Sequence, residues 1–170
     1  MIKYQVGPGL KILFIGVNPH PGSDRRGVPF SNNKMFWYLL SDAGLLDESR
    51  EFLKDDKNLK DLFLHKFKKE YHFGTLNVVN RASRRASELK KEEALPGRKR
   101  ILAAIYKYKP QVVCFVGKIT YNLFSELKKF SYGWQQDIAF SKIYVMHTPL
   151  HGAPQVRIKE LKELLEFCHK

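Results

Sequence analysis

Short unbroken apolar runs alternate along the chain with longer segments whose apolar residues recur every three or four positions. That alternation is the primary guide to its architecture. KILFIGV (11–17), TLNVV (75–79), QVVCFVG (111–117) and KIYVMH (142–147) read as buried strands. The continuous apolar character of 111–117 suits a parallel sheet covered on both faces. WQQDIAF (134–140) reads as an edge strand or an irregular return. In KMFWYLLSDAGLL (34–46), Met35, Phe36, Leu39, Leu40 and Ala43 fall at helical spacing; Asn32 or Asn33 is placed to cap this helix and Gly44 to stop it. Residues 47–68 hold one or two short amphipathic helices with Leu59, Leu62, Phe63 and Phe67 as the buried stripe. Pro96 and Pro110 bracket another helix, expected to turn Ile101, Leu102, Ile105 and either Tyr106 or Tyr108 to the core. KITYNLFSELKK (118–129) and RIKELKELLEFCH (157–169) complete the helices, the last with Leu161, Leu164, Leu165 and Cys168 on one side.

Strand–loop–helix units repeated about four times predict an α/β fold. The expected form is a three-layer α/β/α sandwich around a central, mainly parallel sheet of about four strands, as one domain over 1–170. In such sheets ligands bind beyond the carboxyl ends of the strands. The segments after 11–17, 75–79, 111–117 and 142–147 should therefore converge on one cleft. The first of them, NPHPGSDRRGVPFSNN, carries three Pro and two Gly, so it cannot be helical throughout and reads as a long functional loop.

Composition narrows the function classes. With 44 % hydrophobic and 13 % aromatic residues in 170, the chain can build a full core, so global disorder is excluded. No apolar run reaches the ~18 residues of a bilayer span, and a soluble intracellular protein, cytoplasmic or nucleoid-associated, is expected. Only Cys114 and Cys168 are present, with no CxxC, which rules out a zinc finger or a cysteine-ligated iron–sulfur cluster. His147 and His151 lie four apart outside a helix without a nearby carboxylate in sequence, so no metal site is expected. The formal net charge of +13 points to a polyanionic partner. Arg81 to Arg100 holds eight Lys or Arg against three Glu, including Arg81, Arg84 and Arg85, and Arg25-Arg26 adds a second local excess beside the first loop. Basic stretches flanking candidate site loops favour nucleic acid over a merely solubilising surface.

The candidate chemistry lies in the loops. GxSxG, GxxxxGK[ST] and GxGxxG are all missing, which removes the best support for serine hydrolase, NTPase and dinucleotide readings. Gly16 permits close backbone approach and Pro19 stiffens the exit, which fixes Asn18 at the mouth of the sheet. An asparagine can orient a water but is a poor proton acceptor; equally, its amide can simply satisfy loop backbone. Phe30, an aromatic in a polar loop, can stack on a planar ligand or plug the loop into the core. Asn77 can read a base edge, since an amide both donates and accepts, or can close a strand-end turn.

ILFIGVNPHPGS followed by VPFSNNKMFWYLLSDAGLL resembles the first motif region of the mismatch-specific uracil/thymine-DNA glycosylases, members of the uracil-DNA glycosylase superfamily. That pattern is matched here by Gly16-Val17-Asn18-Pro19, Pro29-Phe30 and Phe36-Trp37. GTLNVVNRASRRASEL, VVCFVGKITYNLF and IYVMHTPLHGAP resemble the family's later segments in order, so that the resemblance covers about residues 11–165. It implies a uracil-DNA glycosylase-like fold and a monofunctional enzyme of base excision repair that flips a base out of duplex DNA and hydrolyses its glycosidic bond without metal or cofactor. It further implies that Asn18 holds the attacking water, that Phe30 stacks under the base, and that the backbone at Val17 and Phe30 with the Asn77 side chain contacts base edges. Uracil is the implied base, with thymine mispaired with guanine as an extension; a monomer is expected.

Two departures stand out. His20 follows Asn18-Pro19 where the family has glycine. In the second motif, Gly152 and Pro154 stand where the family has its intercalating leucine and an arginine. Within the Thr148–Gln155 segment, Leu150, His151 or Gln155 is left as the wedge that fills the space of the flipped base. This keeps open a different specificity on the same fold, such as hypoxanthine or single-stranded uracil, or a damaged-DNA-binding module of weak activity.

Overall fold

The computed structural model describes residues 1–169. Five strands form one sheet in the order β2-β1-β3-β5-β4. They are β1 (Ile12–Gly16), β2 (Phe73–Asn77), β3 (Val112–Val116), β4 (Gly133–Ile138) and β5 (Ser141–Met146). β1, β2, β3 and β5 run parallel, and β4 pairs antiparallel with β5 at the edge. The sheet thus has one more strand than the apolar runs suggest. β4 has no continuous apolar run because its side chains are largely exposed.

Alternation along each strand builds two cores. Ile12, Phe14, Val112, Cys114 and Val116 face one side, where they pack with residues of α2 (Met35–Asp42), α3 (Arg50–Lys54), α4 (Asp56–His65) and α7 (Pro154–His169). Leu13, Ile15, Val113 and Phe115 face the other, against α5 (Ala94–Tyr108) and α6 (Lys118–Ser125). The result is the expected three-layer sandwich. On the first side Phe14, Phe36, Trp37, Phe63, Phe67 and Phe73 form a continuous aromatic core of edge-to-face and tilted pairs.

Two local expectations change. The segment after β1 is not all loop: Pro21–Arg26 forms the short helix α1, with Pro21 at its first position, His20 Nδ1 accepting from the Gly22 N–H, and Gly27 closing it at φ 72°. In α5 the inward stripe is Ile101, Ala104 and Ile105 with half-buried Tyr108, whereas Leu102 and Tyr106 face solvent. No helix among the described residues is long and apolar enough to cross a membrane.

Candidate active site

The chain passes from β1 to β2 on one side and then crosses back over β1 to β3 on the other, so the crevice at the carboxyl ends of β1 and β3 is the topological switch point. A cleft of about 350 Å³ lies there. Its walls include Gly16 at the end of β1 and Val17 just after it, Asn77 at the end of β2, Val116 at the end of β3, and Thr148 to Leu150 after β5. All four strand-end segments converge, as their pattern requires.

The floor is set by Gly16. A methyl group there would lie 2.5 Å from Asn77 Oδ1 and 2.7 Å from Phe30 Cε1, so the amide oxygen and the ring edge meet across the bare backbone. Asn77 is only 3 % exposed, and its Nδ2 donates to the Tyr4 hydroxyl at 2.7 Å. Burial pushes the Tyr4 pKa up to about 12, so that hydroxyl remains protonated at neutral pH. One amide hydrogen and Oδ1 of Asn77 are left for a ligand.

Phe30 occupies the left-handed region at φ 57°, a conformation that costs a non-glycine residue about 1–2 kcal/mol. The surrounding loop holds it there. The Ser31 N–H donates to Ser23 Oγ, Ser31 Oγ donates to Val28 O, Arg26 donates to Ser31 O, and Trp37 Nε1 donates to Pro29 O. The ring lies 4.3 Å from Phe36, tilted 34°, and is itself only half-buried. Core packing behind the ring fixes its place on the cleft wall.

Asn18 is half-buried, and its amide is oriented by the segment after β2. Val78, Val79 and Ser83 N–H groups donate to the carbonyls of Gly16, Val17 and Pro19, which zips 78–83 against 16–19. Asn18 Nδ2 then donates to Ser83 Oγ at 2.7 Å and to Arg81 O at 2.9 Å. The amide does satisfy loop backbone, but with its nitrogen alone. No hydrogen bond from the described residues reaches Oδ1, on a side chain that lines the cleft. A carbonyl oxygen so placed can accept from a water while its amide is held from behind.

The loop after β5 is tied down from α7. Arg157, 7 % exposed, donates from Nε to Thr148 O and from Nη1 to Ala153 O. Glu160, equally buried, accepts from the His147 N–H and pairs with His147 Nδ1 at 2.9 Å. The absence of a nearby carboxylate for His147 is thus corrected: Glu160 lies thirteen residues on in sequence and comes close through α7. Among the expected wedge residues, Leu150 lines the cleft and is 59 % exposed, and Thr148 forms its wall. His151 and Gln155 are exposed and do not line it.

The basic candidates divide. Arg84 lines the cleft; Arg25 and Arg85 are exposed away from its lining. Arg26 is engaged with Ser31 O and Asp56. Arg81 is not free for a ligand: its guanidinium donates to both carboxylate oxygens of Glu93 and to Glu88 O, and its carbonyl holds Asn18. That pairing, with the Lys90 N–H, holds the Glu93 carboxyl down to about 2.

Tyr4, Ser83, Arg157 and Glu160 were not singled out from the sequence. Tyr4 and Ser83 meet their asparagines across 73 and 65 residues, which no local pattern encodes. The other two did leave a signal: Arg157 and Glu160 share a helical stripe with Leu161 and Leu164, so two charged residues sit on an otherwise apolar face.

The site is therefore a cleft at the sheet's switch point, with an aromatic wall, two oriented asparagine amides and a loop bearing an exposed leucine. The sequence model of one family, the uracil DNA glycosylase superfamily, matches residues 4–167, which spans every one of these elements. The chain belongs to the uracil DNA glycosylase superfamily, whose members are DNA glycosylases.

Proposed function

We propose that this protein excises uracil from DNA, as a single-domain, monofunctional glycosylase acting as a monomer on a base flipped out of the duplex. The observation that carries this reading is the orientation of Asn18, whose nitrogen is bound by Ser83 Oγ and Arg81 O while Oδ1 is left for a water beside the Phe30 ring. In the proposed reaction the glycosidic C–N bond breaks with its electron pair going to the base. The water held by Asn18 forms the new C–O bond at the sugar carbon and releases its proton to solvent. An amide is too weak a base to drive attack on an intact bond, so departure of the base must run ahead of water attack. Positioning and fixed dipoles then supply most of the barrier reduction.

The base edge is matched by Asn77. With one N–H and Oδ1 available, it can donate to a ring carbonyl and accept from the neighbouring ring N–H, the pattern of uracil and thymine. Phe30 stacks on the base. Thymine opposite guanine is a further substrate of this reading, and Leu150 is its wedge.

Wild-type protein incubated with uracil, thymine and hypoxanthine substrates, in single strands and opposite guanine or adenine, then treated with alkali, tests this. Strand scission at uracil is expected. Scission only at hypoxanthine, or tight binding to abasic and mismatched DNA with no base release from any substrate, would overturn it.

A further inference from the structure

A second surface adjoins the mouth of the cleft on the α6 side. Lys118 opens α6 directly after Gly117, whose backbone lies against the Thr148 side chain of the cleft wall. Its ammonium stands 4.6 Å from the centroid of the Tyr132 ring and 5.9 Å from that of Phe130. Tyr132 is stacked on His147 at 3.5 Å with 19° between the rings, and Phe130 is edge-on to Tyr121. The rings form a fixed bracket that holds one lysine beside the cleft. Lys118, Ile119, Asn122, Lys128, Lys129 and Phe130 line an open depression of about 410 Å³ with no carboxylate among them. Among the described residues none of these three lysines is ion-paired. The nearby carboxylate of Glu126 is turned to Arg98 at 2.6 Å.

Three ammonium groups without ion-pair partners among the described residues, joined to the cleft through Thr148, His147 and Tyr132, suit the repeated charge of a polyanionic strand better than a single anion. We propose that Lys118, Lys128 and Lys129 hold backbone phosphates of the DNA strand as it leaves the flipped nucleotide, as a second anchor beyond the base cleft. The Tyr132 ring is already engaged by the stacked His147 and by the Lys118 ammonium, so the surface reads phosphate and not bases. This rests on the glycosylase reading for the path of the strand. It assigns the anchor to residues outside the 81–100 stretch that the charge distribution alone had favoured.

The test is the salt dependence of binding to a duplex carrying a stable abasic-site analogue, for the wild type and for the triple variant Lys118→Gln/Lys128→Gln/Lys129→Gln. Each lost phosphate contact flattens the log–log salt slope by ~0.9, so the triple variant should be flatter by about 2.7 and should lose about 40-fold less affinity than wild type between about 50 and 200 mM salt. A control triple of equal charge, Lys57→Gln/Lys69→Gln/Lys162→Gln, lies on exposed positions of the opposite layer and should keep the wild-type slope. Base release by the control triple should match that of the wild type. An unchanged slope in the Lys118 triple, an equal flattening in the control, or loss of binding only to anionic phospholipid vesicles would overturn the anchor. A flattened slope in a protein that releases no base would sink the glycosylase reading and leave the anchor standing. Normal base release with an unchanged slope would do the reverse.

Discussion

Ser83→Ala isolates the orientation of Asn18 from its presence. The hydroxyl accepts from Asn18 Nδ2 at 2.7 Å and donates to Arg85 O at 2.9 Å; Arg81 O remains as a second acceptor at 2.9 Å. Removing the hydroxyl loosens the amide without emptying the cleft. A hydrogen bond contributes a net ~0.5–1.5 kcal/mol. If that is lost from the aligned state alone, with about 1.4 kcal/mol per decade, the base-release rate should fall by about 2- to 12-fold. Asn18→Ala removes the oxygen itself, and loss of one preorganised group of this kind costs about 10²–10³-fold. Single-turnover release of uracil from a duplex measures both, and the double variant closes the cycle. Adding Ser83→Ala to Asn18→Ala should then change nothing further, because no amide is left to align. Independent, multiplying effects of the two substitutions, or a Ser83→Ala loss as deep as that of Asn18→Ala, would refute the claim that Ser83 acts through Asn18.

Gly16→Ala drives a methyl group into Asn77 Oδ1 and Phe30; at ~1–3 kcal/mol of overpacking, affinity for the free base should fall by about 5- to 150-fold, and unchanged product inhibition would contradict the shared floor. Leu150→Ala, on an exposed side chain, should leave stability within ~0.5 kcal/mol yet slow release from duplex far more than from single-stranded DNA; equal slowing on both would remove its wedge role. The Glu93 carboxyl, depressed from 4.5 to about 2 by Arg81 and the Lys90 N–H, stabilises the folded loop above pH 4.5, and that contribution disappears as pH falls toward about 2. The hydrogen-exchange protection of the Ser83 N–H should therefore drop across that window in wild type, and not in Glu93→Gln.

The layers of the fold were legible because strands buried on both faces must be apolar throughout, as Val112–Val116 is, and because the switch point of a parallel sheet fixes where its loops meet. Asn18, Phe30 and Asn77 could be placed on one cleft for the same reason. α1 escaped notice since six residues are too short for a periodicity; only its cap and Pro21 mark it. Leu102 faces solvent, and Tyr108 rather than Tyr106 is the tyrosine that packs inward, because α5 turns the small Ala104 against the sheet. The Arg-rich 81–85 stretch looked like a free DNA surface, yet Arg81 spends its charge on Glu93 twelve residues away. A formal charge counts cations without showing which are already paired, and the unpaired lysines beside the cleft are spread over 118 to 129 where no run drew attention.

The most direct measurement pairs two quantities on one duplex containing uracil opposite guanine: the single-turnover rate of uracil release and the affinity for the DNA, in wild type and in Asn18→Ala. The account predicts a rate lowered by about 10²–10³-fold with binding nearly unchanged, since Oδ1 holds water and not DNA. Equal release rates in the two proteins, or a loss confined to binding, would contradict it.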